Sequence, residues 1–475
     1  MKGPLGGVSL GFRFRPPGVP GLFVSVFTAT ILLGAILQLY LLPVVFPSLH
    51  WGHGLLAGGD WCGFHREAER VANAIEKQGW HAWEAWPGGH WPAGAAAALY
   101  ALVGMHEPWV MLPVHGLLHA MGVTLFFVLF RHVTGRPSIA LLAASPYLLF
   151  PSSAMIWGQL HKDIWMIPPV LLVMLAWVSL VEPEKTTIPI VVRTWLLTLI
   201  ALPLLHLVRP YALQLLLAGS LCVFLYLLGR ALRLKFRHHA GFYGTWLAGA
   251  LGVLALFVLA IQIPTERPYV DVVALSERQL STAHSPHTVE PGSAQWDRPL
   301  LGMIHAPARA IDSLRRDFFT TYSGAGSFVD RETRFDNLAD VILYLPRALQ
   351  IGLLAPWPGM WFEPAASPGG RWLRWGSAAE ITVAYLLLPG LIIALRRGSP
   401  AMRTLGLFCV VIVIIQSLAI PNVGTLYRMR YVFFHVLLGL GIAGYGCLGR
   451  IPGGTLVARF RQGKDPTSGH RKLLE

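Results

Sequence analysis

The chain has 475 residues, 54% of them hydrophobic and 13% charged, with a mean hydropathy of +0.54. That balance excludes an ordinary water-soluble domain and points to an all-α, polytopic integral membrane protein. The formal net charge of +14 would suit nucleic acid, but Lys and Arg gather in short runs beside apolar segments, where they orient spans, so no nucleic-acid partner is expected.

Lys2, Arg13 and Arg15 precede an apolar run from Leu22 to Leu42. This is the charge order of a signal peptide, but the run is too long and no small-residue cleavage site follows, so it reads as the first transmembrane helix. About ten spans of roughly 20 residues are expected, near 21–48, 108–130, 138–156, 164–181, 188–207, 211–229, 243–263, 379–396, 404–420 and 431–449. Barrel strands are excluded, because the runs are too long and continuous for them and because backbone groups in a bilayer must pair internally. Arg131, Arg136, Arg230, Arg233, Lys235, Arg237, Arg396, Arg397, Arg403 and the tail from Arg450 then share the cytoplasmic side with the N-terminus. Segment 339–358, with Pro346, Arg347, Pro356 and Pro358, would reverse the last of these if it crossed, and is read as re-entrant or interfacial. The chain thus divides into an N-terminal transmembrane region 1–263 containing the first non-cytoplasmic loop 49–92, a non-cytoplasmic segment 264–378, and a C-terminal transmembrane region with a basic tail, 379–475.

This topology gathers five polar stretches on the non-cytoplasmic face: 49–92, His161-Lys162-Asp163, Arg209-Pro210-Tyr211, 264–338, and Asn422 to Arg430. In the first, Phe64, Ala68, Val71, Ala72 and Ile75 recur at helical spacing among Arg66, Glu67, Glu69, Arg70, Glu76 and Lys77, which predicts an amphipathic helix lying on the membrane surface. A second helix is expected from Pro92 to Val103 before Gly104, and a third near 304–319. Trp51, Trp61, Trp80, Trp83, Trp86 and Trp91 suit an interfacial aromatic belt or sugar-ring stacking.

Asp60 follows Gly58-Gly59 at the start of the amphipathic helix, where it suits either an N-cap or a general base. Asp163 stands directly before an apolar run, at the membrane edge. Arg209, Arg428 and Arg430 sit in short turns between spans and match phosphate by bidentate, charge-assisted hydrogen bonds, or contact ordinary lipid phosphates. His65 and Arg66 beside Asp60, Lys162 beside Asp163, and Tyr211 and Tyr427 beside the arginines complete the candidate binding set. No cofactor is indicated: His53, His65, His81, His90 and His161 lack a helical ligand spacing such as HExxH, so no residue is assigned to a metal. Cys62, Cys222, Cys409 and Cys447 have no paired spacing, which points away from a disulfide framework or a cysteine zinc site.

The order of an acidic residue after the first span, an amphipathic helix, a segment such as His90-Trp91-Pro92-Ala93 through Gly104, and His161-Lys162-Asp163 before a later span resembles the GT-C superfamily of membrane glycosyltransferases. The likeness is to the branch of protein O-mannosyltransferases and the lipid A aminoarabinose transferase, and covers roughly residues 20–182. Relatives often carry Asp-Glu where this chain has Asp60-Trp61. The C-terminal half looks like polytopic proteins of polysaccharide gene clusters. The resemblance implies transfer of a sugar from a polyprenyl-phosphate donor to a glycan, lipid or protein, at the non-cytoplasmic face of a bacterial inner (plasma) membrane. Asp60 would be the base, Asp163 would orient the acceptor, and Lys162, Arg209, Arg428 and Arg430 would hold phosphate. A polysaccharide polymerase or ligase, and a lipid or solute transporter, are the alternatives; His115, His119, His206 and His435 within or near spans keep the last open.

Overall fold

A computed structural model of the protein describes residues 18–238, 243–264, 299–321, 327–363 and 368–448. Segment 265–298 and the basic tail from Arg450 lie outside them. In chain order the helices are α1 (Val19–Ile36), α2 (Asp60–Gln78), α3 (Trp91–Val103), α4 (Leu112–Thr134), α5 (Pro137–Leu149), α6 (Pro151–Gly158), α7 (Asp163–Ser179), α8 (Ile188–Val208), α9 (Tyr211–His238), α10 (Gly244–Ile261), α11 (Pro299–Thr321), α12 (Leu338–Leu354), α13 (Pro358–Trp361), α14 (Pro368–Arg397), α15 (Pro400–Ala419), α16 (Val423–Met429) and α17 (Tyr431–Leu448). Strand structure among the described residues is a two-stranded pairing of His50–Gly52 with Leu55–Leu56. The chain is a polytopic helical membrane protein, and eight of the described helices are long and apolar enough to cross a bilayer.

Two of the ten expected spans differ from plain crossing helices. The run 138–156 is the pair α5 and α6, bent by 64° where Pro151 opens the second helix, since proline lacks the N–H that would continue the first. The run 164–181 is α7, only 17 residues long. It is apolar all round and buried along almost its whole length, as a helix enclosed by other helices must be. The last expected group of spans holds, but the first of them is the C-terminal part of α14, which starts at Pro368 rather than near 379.

The largest core joins α4, α5, α7, α9, α10, α15 and α17 through residues such as Phe126, Phe130, Trp177, Phe257, Phe408 and Val436. Helices α14 and α17 approach closely along small residues: a Cβ on Gly441 would stand 2.7 Å from the Leu387 carbonyl oxygen. Only glycine permits that backbone approach, and in lipid such close packing replaces the hydrophobic drive that water would supply.

Helix α2 has the predicted apolar stripe, but protein covers it. Phe64, Ala68, Val71, Ala72 and Ile75 are buried against Ala93, Ala96, Ala97 and Tyr100 of α3. The run of alanines lets the two helices meet, so the helix does not lie on the membrane by this face. Arg70 on the opposite face grips both carboxylate oxygens of Glu84 at 3.0 and 2.9 Å. Gly104 ends α3 in the left-handed conformation, with φ 70°, which glycine adopts without a Cβ clash. Helix α12 opens with a capping box between Asn337 and Asp340, packs inward on α15, and presents Leu338, Ile342 and Leu343 outward.

Candidate functional site

The described parts of the five polar stretches meet. Arg428 Nη1 donates to Asp60 Oδ2 at 2.8 Å, joining residues 368 apart in sequence. Arg209 forms an ion pair with Asp163, and His161 Nδ1 lies 3.3 Å from the same carboxylate. Trp86 Nε1 donates to the Leu207 carbonyl at 2.9 Å, drawing the first loop to the end of α8. Ser327 to Val329 pairs with Pro421 to Val423 through Val329 N–H to the Pro421 carbonyl and Val423 N–H to the Ser327 carbonyl, each 3.0 Å.

Asp60 is the first residue of α2; Gly59 occupies the N-cap, and that end carries no side-chain cap. The carboxylate is therefore engaged by Arg428 and not by its own helix. Burial pushes the Asp60 carboxyl up, but Arg428 and Lys162 together outweigh burial and hold it below the usual carboxylate range. Lys162 is lowered to about 8, by burial first and then by Arg209. His161 is lowered to about 4 by burial, against the pull of Asp163, and is neutral at pH 7.

A cavity of about 380 Å³ opens beside Asp60, within the size range of small-ligand sites. Its lining includes the polar side chains of Asp60, His161, Arg428, Tyr427 and Glu380 and the Arg374–Glu363 pair, with Trp61, Met155, Ile156, Met360, Trp361 and Leu373 among its apolar members. A small adjoining recess is lined by Asp163, Arg209, Tyr211 and Arg428, so Arg428 faces both spaces.

Glu380 is absent from the sequence-derived set. Its carboxylate accepts from Tyr427 O–H and from Ser152 N–H, the latter at 2.8 Å, and it is 2% exposed. The signal was present: an acidic residue inside an expected span is a functional candidate by default.

Other candidates stand elsewhere. Arg430 is buried, and its guanidinium donates to the carbonyls of Ile351, Gly352 and Ala355. It closes the C-terminal end of α12, where helix carbonyls lack partners, so both of its terminal nitrogens are committed to backbone and it lines neither space. His65 is fully buried against Tyr100, and Arg66 lies 5.0 Å from the centroid of Trp51; both are outside the cavity lining. Lys162 reaches toward the Phe64 ring at 5.9 Å and acts on Asp60 through its charge. Of the histidines within or near spans, His115 meets the Trp157 carbonyl, His119 meets Thr30 and His435 meets the Tyr431 carbonyl; none lines the cavity.

No family model matches the chain, and no curated protein matches it. Among solved structures it is similar to the archaeal oligosaccharyltransferase AglB from Archaeoglobus fulgidus, in complex with an inhibitory peptide and a dolichol-phosphate, with a TM-score of 0.40 and 14% identity. The match covers 95% of this chain and 52% of that one, so the chain spans about half the length of that structure.

Proposed function

We propose that the protein is a membrane glycosyltransferase of GT-C type that takes a sugar from a polyprenyl-phosphate carrier at the non-cytoplasmic face and places it on a hydroxyl of a glycan, lipid or protein. The observation that carries this reading is the Asp60–Arg428 pair in the lining of a largely apolar cavity. A carboxylate and a guanidinium side by side suit a reaction in which one group takes a proton and the other receives an anion. Apolar walls beside them suit an isoprenoid chain.

In the resting site Arg428 holds Asp60 ionised. A donor phosphate entering the recess shared by Arg209 and Arg428 competes for the Arg428 guanidinium by charge-assisted hydrogen bonds. As Arg428 turns to the phosphate, Asp60 loses its counter-charge, burial dominates, and its proton affinity rises. Asp60 then takes the proton of the acceptor hydroxyl, and the oxygen attacks the anomeric carbon. The bond from that carbon to the phosphate oxygen breaks, and the polyprenyl phosphate leaves with the electron pair, stabilised by Arg428 and Lys162. Asp163, fixed by Arg209 and His161, orients the acceptor.

Incubating the purified protein with labelled polyprenyl-phosphate sugars and an acceptor extract tests the reading. Asp60→Asn removes the proton acceptor without changing size, and should fold, bind donor and transfer at roughly one-hundredth of the normal rate or less. Near-normal transfer by Asp60→Asn would remove Asp60 as base and make Glu380 the next carboxylate to replace. A polymerase or ligase differs by moving a whole glycan, which the size of the labelled product reveals.

A further inference from the structure

Outside the cavity, the turn after His50–Gly52 and helix α2 bring together His53, His65 and Glu69, with one ligand atom of each within 4.8 Å of the others. His65 and Glu69 stand four residues apart on α2 and so share a face. His65 is wholly buried, with its Nδ1 3.1 Å from the Tyr100 hydroxyl. Its Nε2 is buried without a hydrogen-bond partner, and the nearest carboxylate oxygen, Glu69 Oε1, is 3.6 Å away. The His53 ring lies 4.8 Å from the His65 ring, centroid to centroid, and its Nδ1 is 3.2 Å from each carboxylate oxygen of Glu107. His53 has φ 53°, a left-handed conformation uncommon outside glycine, and it is this turn that carries the ring over His65.

Each imidazole therefore has Nδ1 engaged by an oxygen group, which leaves Nε2 for another partner. An oxygen held by the far ring nitrogen is what orients metal-ligating histidines. A buried ring nitrogen without a partner is costly unless something satisfies it. We propose that His53 and His65, through Nε2, and Glu69, through its carboxylate, bind a divalent cation of the zinc class, with the fourth position taken by water. Two imidazoles and a carboxylate form a ligand set that zinc accepts in tetrahedral geometry. The cation would fasten the turn to α2 close to the end that carries Asp60. This site does not depend on the transferase reading.

The test uses the full chain, purified in detergent through a tag without histidine and stripped with a chelator. Zinc is titrated against a chromophoric competitor, and cobalt is added to read the electronic spectrum. The expected result is one equivalent of tight binding with the visible absorption of a four-coordinate cobalt site. His53→Asn, which tolerates the left-handed backbone, and Glu69→Gln should each weaken binding by about tenfold or more, with helical content and Tm measured on the same samples. Asp60→Asn should bind zinc as the wild type does, whatever its transfer rate. If the wild type takes up no zinc, or both ligand variants bind as tightly as the wild type, the assignment is overturned.

Discussion

Arg428 and Arg430 are two positions apart, yet they serve different purposes. Arg428 is part-exposed and paired with a carboxylate at a cavity, whereas Arg430 is buried among backbone carbonyls of α12. Arg428→Lys keeps the charge but loses the planar fork, so donor affinity should fall while the melting temperature holds; equilibrium binding of a labelled polyprenyl-phosphate sugar measures this. Arg430→Ala should instead unfold the protein at lower temperature, because it leaves buried carbonyls unsatisfied at about 1–3 kcal/mol each. An Arg430→Ala variant of normal Tm and impaired donor binding would reverse the assignment. The pH profile follows from the same groups. Asp60 is held below the usual carboxylate range and His161 titrates at about 4, so neither changes charge between pH 5 and 7. Lys162 loses its proton as pH rises through about 8, and the attraction for phosphate proposed for it would go with that charge. The kcat/KM for donor, which reports the uncomplexed enzyme, should be flat from about pH 5 to 7 and decline above about 8; a steep rise between 5 and 7 would contradict the proposed base.

At the scale of elements, α2 and α3 form the platform that aims Asp60. Their contact depends on Ala96 and Ala97, both fully buried, opposite the stripe of α2. Ala97→Leu would overpack this seam at a cost of about 1–3 kcal/mol and tilt α2. Its expected signature is a lower Tm in detergent together with slowed transfer, although no group near the cavity has changed. Transfer at the wild-type rate in a protein of lowered Tm would mean that Asp60 is positioned by Arg428 alone. Helices α14 and α17, packed through Gly390, Gly441 and Gly444, bring Glu380 and Tyr431 into the lining of the same cavity. The site is thus framed by two closely packed helix pairs from opposite ends of the chain.

For the whole molecule, the contact of Asp60 with Arg428 requires both to lie on one side of the membrane. From the distribution of Lys and Arg we propose that this is the non-cytoplasmic side, with Arg396, Arg397 and Arg403 opposite. Single cysteines at 60 and 428, in a chain lacking its four native cysteines, should react with an impermeant reagent added from the non-cytoplasmic face, and a cysteine at 397 only from the cytoplasmic face. Labelling of 60 and 397 from the same face would break the proposed orientation and, with it, access of a carrier-linked donor from that side.

Local pattern carried the helical class, most span positions, the amphipathic character of α2, the break at Gly104 and the interest of Asp60, because hydropathy, helical period and backbone preference are properties of neighbouring residues; the bend at Pro151 it did not carry. What the pattern could not supply was a partner. Nothing within α2 tells whether Asp60 caps its helix or meets a cation 368 residues away. Nor does the run Tyr427 to Arg430 say which guanidinium faces the cavity and which closes α12. Glu380 carried a sequence signal, an acid in an apolar span, but its placement beside Tyr427 and Ser152 arises only when α14 meets α16 and α6. The same holds for His53, His65 and Glu69: four-residue spacing joins the last two, and only the folded turn brings the first. Burial, charge pairing and cavity shape depend on which distant segments meet, and those meetings are decided by the packing of the helices in three dimensions.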